Sequence, residues 1–136
     1  MTLTQLIAEF MASRLTGGLV LAEPDVTKAM LKAVRFYAGY AEIKYFVNAP
    51  TLSQIDSNVT LTPSEWAIIQ PLFNAYVDHE NALRLEASRG LGLDVYGRSS
   101  SELASEIKQL EMDLPRKAFY QSIASVGNLD IYADSN

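Results

Sequence analysis

The sequence predicts an all-α fold: a single helical bundle of four to five helices, with a projecting loop and an extended C-terminal tail. Three observations carry that expectation. Apolar residues recur at helical spacing in four separate segments. Three of these segments open on Thr or Ser followed three positions later by Gln or Glu, the spacing of a capping box. The length, 136 residues with 49% hydrophobic, is enough for one core and leaves little room for a second. The bundle is expected over residues 1–126 and the tail over 127–136.

The first helix is expected from about Thr2 to Leu15. Thr2 and Gln5 have capping-box spacing, Leu3, Leu6, Ile7 and Phe10 share a face, and Gly17-Gly18 stops the helix. The second opens at Pro24, whose fixed φ suits the first helical position, with Asp25 favourable to the helix dipole. Val26, Met30, Ala33, Tyr37 and Tyr40 project to one side, and Lys28, Lys32, Arg35 and Glu42 to the other. It should run through Gly39 to about Phe46, where Asn48-Ala49-Pro50 ends it. Residues 51–62 are the least helical stretch. Asp56-Ser57-Asn58 is turn-like and Val59-Thr60-Leu61 has the character of a very short strand, but a loop projecting from the bundle is the plainer expectation.

The third helix has the clearest start. Thr62 caps, Pro63 takes the first position and Glu65 completes the box. It should reach Ser88 or Arg89, with Gly90 as the stop and a kink at Pro71. Trp66, Ile69, Phe73, Tyr76, Val77, Leu83 and Ala87 fall on one arc, which makes this the central core helix. After a connection punctuated by Gly90, Gly92 and Gly97, Ser99 and Glu102 form another box. Leu103, Ile107, Leu110 and Leu114 then make a narrow seam with acids around it. Pro115 should end or bend this helix, with Arg116 to Val126 as a further short one.

Composition excludes more than it identifies. There is no cysteine, so disulfides, iron–sulfur clusters and thiol nucleophiles are ruled out. One histidine, His79, leaves little for a multi-histidine metal site. Eleven Lys+Arg against sixteen Asp+Glu give a net charge of −5, which disfavours a general nucleic-acid binder that must displace counterions from phosphate. The charge is uneven: residues 1–62 hold five basic and five acidic residues, whereas 63–136 hold six and eleven. Glu9 and Arg14 interrupt the apolar start, so neither a signal peptide nor a membrane span is expected, and the product is expected in the cytoplasm.

No motif points to catalysis, a cofactor or a metal. Asp78, His79 and Glu80 diverge by about 100° per residue on a helix and do not converge on one proton or ion, so a rim histidine is expected. The glycines at 90, 92 and 97 follow a helix rather than a strand, the wrong order for a dinucleotide loop. Glu102 and Glu106 lie one turn apart on a solvated face, and Tyr37, Tyr40, Tyr45 and Phe46 have the spacing of core aromatics. The sharper feature is Glu80 with Arg84, one turn apart inside the apolar arc in the favourable acid-first orientation. Such a pair is either partly exposed or at the boundary of a subunit contact, to which Arg89 and Arg98 would add.

From Trp66 onward the chain resembles a class of small tailed-bacteriophage proteins. The segments that carry this are WAIIQPLFNAYVDHENALRLEASRGLGLDVYGRSSSE and DLPRKAFYQSI, and the resembling region covers about half the chain. The class comprises virion head–tail connector proteins, also called adaptor or head-completion proteins. The resemblance implies a short helical bundle that forms a ring, typically twelvefold, beneath the portal and continues its DNA channel toward the tail. The implied partners are the portal protein, a tail-side neck protein and further copies of the chain. Location in the virion neck is implied too, with no membrane, no specific nucleic-acid binding and no cofactor. Glu80, Arg84, Arg89 and Arg98 would then lie at the subunit interface, and Leu129, Ile131 and Tyr132 would dock the tail on the portal. An acidic second half suits a channel through which DNA must slide. The competing expectation is a small cytoplasmic helical regulator or assembly chaperone that acts by protein–protein binding.

Overall fold

A computed structural model describes residues 1–14, 19–44, 55–88 and 99–134, with side chains up to Phe119 in the last span. Its elements are α1 (Leu3–Ser13), α2 (Glu23–Ala38), α3 (Pro63–Ser88) and α4 (Ser100–Asp134). The described residues form no strand, and the fold is an all-α bundle. α3 lies at its centre, packed against α2 on one side and α4 on another, while α1 closes over α2.

Side-chain caps mark the starts of α1, α3 and α4, whereas α2 follows Ala22 without one and carries Pro24 in its first turn. In α1 the Thr2 hydroxyl accepts from Gln5 N and the Gln5 side chain accepts from Thr2 N, closing both halves of the box. Its inner face buries Leu3, Leu6 and Ile7, and Phe10 meets Phe73 of α3 edge to face, with centroids 4.9 Å apart. In α2, Val26, Met30, Ala33, Val34 and Tyr37 are buried. With Phe73, Ile69, Leu72 and Val77 of α3 they make up most of the fully buried core. Burying a side chain of this size stabilises by about 1.5–3 kcal/mol each.

α2 is shorter than its periodicity predicts. It stops at Ala38 with Gly39 as its cap, at φ −70° and ψ −16°, an ordinary right-handed conformation. Something other than glycine's conformational freedom therefore ends the helix. Two residues beyond supply the reason: Ile43 turns back into the core at 3% exposure, and Lys44 N donates to Glu65 Oε2 at 3.0 Å. Tyr40, expected on the core face, is left 53% exposed against Phe36. Tyr45, Phe46 and Asn48-Ala49-Pro50 lie outside the described residues, as does Gly17-Gly18.

The loop expected to project over 51–62 does not project in its described part. Residues 55–61 lie along α1, with Leu3 N donating to Val59 O at 3.0 Å, Thr4 N to Ser57 O at 3.1 Å and Leu61 N to Met1 O at 3.0 Å. An isolated antiparallel bridge joins Thr2 and Thr60, so the short-strand character of this stretch finds a partner. The cause is hydrophobic: Ile55, Val59 and Leu61 alternate into the core at 3% exposure each. Arg35 Nη2 pins the same segment from α2 by donating to Ile55 O at 3.0 Å.

α3 crosses Pro71 as one helix. Ala67, whose carbonyl loses its helical partner to the proline, is exposed, as is Pro71. The arc drawn through Leu83 and Ala87 is corrected: Leu83 is 42% exposed and Ala87 is exposed, while Ala82 is buried. At this level α3 is covered by the start of α4. Glu86, one turn after Ala82 on the same face, accepts from Ser100 N at 2.8 Å and Ser100 Oγ at 2.6 Å. Ser99 Oγ takes Glu102 N at 3.3 Å, the expected half of its box.

The seam of α4 packs as its spacing predicts: Leu103 and Leu114 are buried, and Ile107 and Leu110 are partly buried against the core. Pro115 neither ends this helix nor starts a separate one over 116–126, because Leu114 and Ala118 on either side of it are both buried. The helix continues to Asp134, so no helix end marks the expected boundary at 126. Side chains from Tyr120 onward lie outside the described residues, and with them those of Leu129, Ile131 and Tyr132.

The buried carboxylate of Glu65, 2% exposed, holds the α2–α3 joint together. Its Oε1 accepts Thr62 N at 2.8 Å and its Oε2 accepts Lys44 N at 3.0 Å. A Glu65→Gln side chain has one acceptor for these two donors and would set an amide N–H against the other. We expect it to lose about 2–4 kcal/mol of unfolding free energy in urea, against about 1 kcal/mol for Thr62→Ala. Equal losses from the two substitutions would show that the bond to Lys44 N contributes little.

Candidate functional site

Three helix faces converge on a cleft of about 500 Å³ between α2, α3 and α4. Its walls follow from helical spacing. α2 contributes Asp25, Lys28 and Lys32, at i, i+3 and i+7, which are on the face opposite its buried stripe. α3 contributes Tyr76, His79, Glu80 and Arg84, the edge where its apolar face gives way to polar residues. α4 contributes Ala104, Ile107, Lys108 and Glu111, flanking the Leu103–Leu114 seam. Three antiparallel or neighbouring helices can only close their apolar faces on one another, so the polar edges left over line a groove.

Charge in the cleft is organised. Arg84 donates to Asp25 Oδ1 at 3.0 Å and lies 3.6 Å from Glu80, so one guanidinium serves two carboxylates. The i,i+4 partner visible in sequence is the longer contact, and the shorter one crosses to the first turn of α2. Arg84 and Glu80 are 47% and 45% exposed, which matches a solvated pair and contributes little to stability. Tyr76 OH donates to Glu111 at 2.8 Å, and the Lys32 ammonium sits 4.4 Å from the centre of the Tyr76 ring. Lys28 and Lys108 form no ion pair among the described residues.

The remaining expected residues are dispersed. Asp78 leaves the cleft and pairs with Arg14 at 3.4 Å, while His79 and Glu80 both line it, so of the Asp78-His79-Glu80 run Asp78 alone points elsewhere. Glu102 is exposed and Glu106 half-buried. Arg89, Arg98 and the glycines at 90, 92 and 97 lie outside the described residues. Among the described residues no group of three or more His, Asp or Glu could hold a metal ion, and no helix is long and apolar enough to cross a membrane. Lys28 and Lys32 are exposed as their spacing predicts, and what the sequence did not show is that α3 and α4 stand beside them to form a cleft. The available signal was their i+4 spacing opposite the buried stripe of α2.

Burial affects two tyrosines here and in the core. Tyr37 is pushed up to about 12, first by desolvation and then by the nearby Glu65 charge. Tyr76 is raised as well, by desolvation and then by its bond to the Glu111 carboxylate and that group's charge. No family model matches this chain, and no curated protein or solved structure matches it either.

The raised tyrosines fix the alkaline limit of the fold. Unfolded tyrosine ionises near its ordinary value of 10.0, while folded Tyr37 keeps its proton to about 12. Above pH 10 the unfolded chain therefore releases protons that the folded chain retains, so stability is intact below that pH and declines above it. Urea midpoints should hold up to about pH 10 and fall from there to about pH 12, with a shallower fall in Tyr37→Phe. A Tyr37→Phe profile parallel to the wild type would assign the alkaline loss elsewhere.

Proposed function

We propose that this chain is a virion structural protein, a head-to-tail adaptor that forms a ring under the portal of a tailed phage and continues the DNA channel toward the tail. Two things support the reading. One is the resemblance of residues 66–102 and 113–123 to such adaptors. The other, on which the argument leans most, is the outer face of α4. Met112 is 72% exposed and Phe119 58%, seven residues apart and so within about 20° of each other around the helix. Fully burying an apolar side chain of this size is worth about 1.5–3 kcal/mol, so a subunit or portal contact that covered the exposed part would recover a share of that.

In this reading heterologous side-to-side contacts close the ring. Glu80 and Arg84, solvated in the single chain, lie near one such contact, and Leu129, Ile131 and Tyr132 belong to the segment that meets the portal. The surplus acid of residues 63–136 would keep passing DNA from adhering. The chain would be made in the host cytoplasm and act in the virion neck, by binding rather than by catalysis.

The deciding experiment is co-purification with portal protein, with subunits counted by native mass spectrometry, alongside imaging of the particle neck. Portal-bound rings are expected for the wild type. A Met112→Glu variant should keep its thermal midpoint but lose ring assembly. Abundance in infected cells together with absence from purified particles would overturn the adaptor role. It would leave the regulator or assembly chaperone as the better reading.

A further inference from the structure

We propose that the cleft between α2, α3 and α4 is a binding site for a small polyanion. The proposal does not depend on the adaptor reading. It starts from the charge count around the cavity: four cations, Lys28, Lys32, Arg84 and Lys108, face three carboxylates, in a chain whose net charge is −5. Every carboxylate is already engaged. Asp25 and Glu80 share Arg84, and Glu111 holds the Tyr76 hydroxyl.

The seven charges sum to +1, and the three lysines are the cations that no carboxylate pairs with. Lys28 and Lys108 have no ion pair among the described residues, and Lys32 has only the Tyr76 ring. Lys28 and Lys32 on α2 and Lys108 on α4 line the same space from two helices, each with part of its side chain exposed. His79 lines the same space from α3. The lysines repel one another, the two carboxylate charges that Arg84 does not offset reduce that repulsion without cancelling it, and a bound anion relieves the rest.

Size and lining suit a small molecule. A volume of about 500 Å³ is within the usual range for ligand sites. Ala29, Ala104 and Ile107 give the floor an apolar part against which a carbon skeleton can rest. The shared chemistry is two or more negative charges a few ångströms apart, as phosphorylated molecules and polycarboxylates both provide.

The test is calorimetric titration of the full chain with pyrophosphate and, separately, with citrate, at low and raised salt. Saturable one-to-one binding by at least one probe is expected, weakening with salt. The Lys28→Gln, Lys108→Gln double variant should lose affinity by about tenfold or more. Lys117→Gln, on the exposed face of α4 away from the cleft, should bind as the wild type does. Tighter binding of pyrophosphate points to phosphorylated ligands, and tighter binding of citrate to polycarboxylates. Thermal melts that coincide for all three proteins show that lost binding is not lost folding. Absence of saturable heat with either probe at millimolar concentration would overturn the proposal. So would equal weakening by Lys117→Gln, or binding of an oligoglutamate peptide while neither small probe binds.

Discussion

A carboxylate that is 2% exposed constrains everything around it. Glu65 sits at the joint between α2 and α3, and a charge buried there without partners would cost several kcal/mol. Its partners are backbone N–H groups, Thr62 from its own helix start and Lys44 from the beginning of the preceding connection. That requirement explains why α2 stops at Ala38 although its side-chain pattern could continue. The chain must turn within six residues to present Lys44 N, and Ile43 fills the core as it does so. Tyr37, whose hydroxyl feels the same carboxylate, belongs to this joint too. Cap, helix end and core insertion are one cooperative arrangement.

What the sequence reveals about this fold is what can be read within one turn of helix. Thr2 with Gln5, Thr62 with Glu65 and Ser99 with Glu102 are all i,i+3 relations, and each begins its helix as expected. The Leu103-to-Leu114 seam was legible for the same reason. The features that escaped are those with large sequence separation. Lys44 N on Glu65, Arg84 on Asp25 and Glu86 on Ser100 each join residues brought close only by the packed bundle. The segment at 55–61 shows the same limit. Its turn residues read as a projecting loop, whereas the alternation of Ile55, Val59 and Leu61 required a surface to cover. That surface belongs to α1, fifty residues earlier.

Charge shows a related effect. Along the chain the acidic surplus falls wholly after residue 62, which invites a picture of a neutral half joined to an acidic half. Folding mixes the two. The cleft sets Lys28 and Lys32 from the neutral half beside Lys108 from the acidic half, and it uses Asp25 to hold Arg84. The local balance is therefore opposite in sign to the net charge. Field lines in a cleft depend on which side chains face one another, and helical packing decides that, not sequence position.

The two proposals meet on α4. Stepping 100° per residue, Lys108, Met112 and Phe119 fall within about 40° of one another, so the cationic edge of the cleft runs into the exposed apolar stripe along one ridge. A partner laid on Met112 and Phe119 would approach Lys108 and lower the water content around it. An anion held by Lys108 would in turn change the charge which that partner meets. Two ligands that share a residue are coupled in free energy, and the coupling is the same in both directions. Desolvation strengthens the attraction between Lys108 and an anion, so a mainly apolar partner should favour the anion and the anion should favour the partner. An acidic partner edge would reverse the sign. Lys108 is thus the position where occupancy of the cleft and assembly along α4 would influence each other.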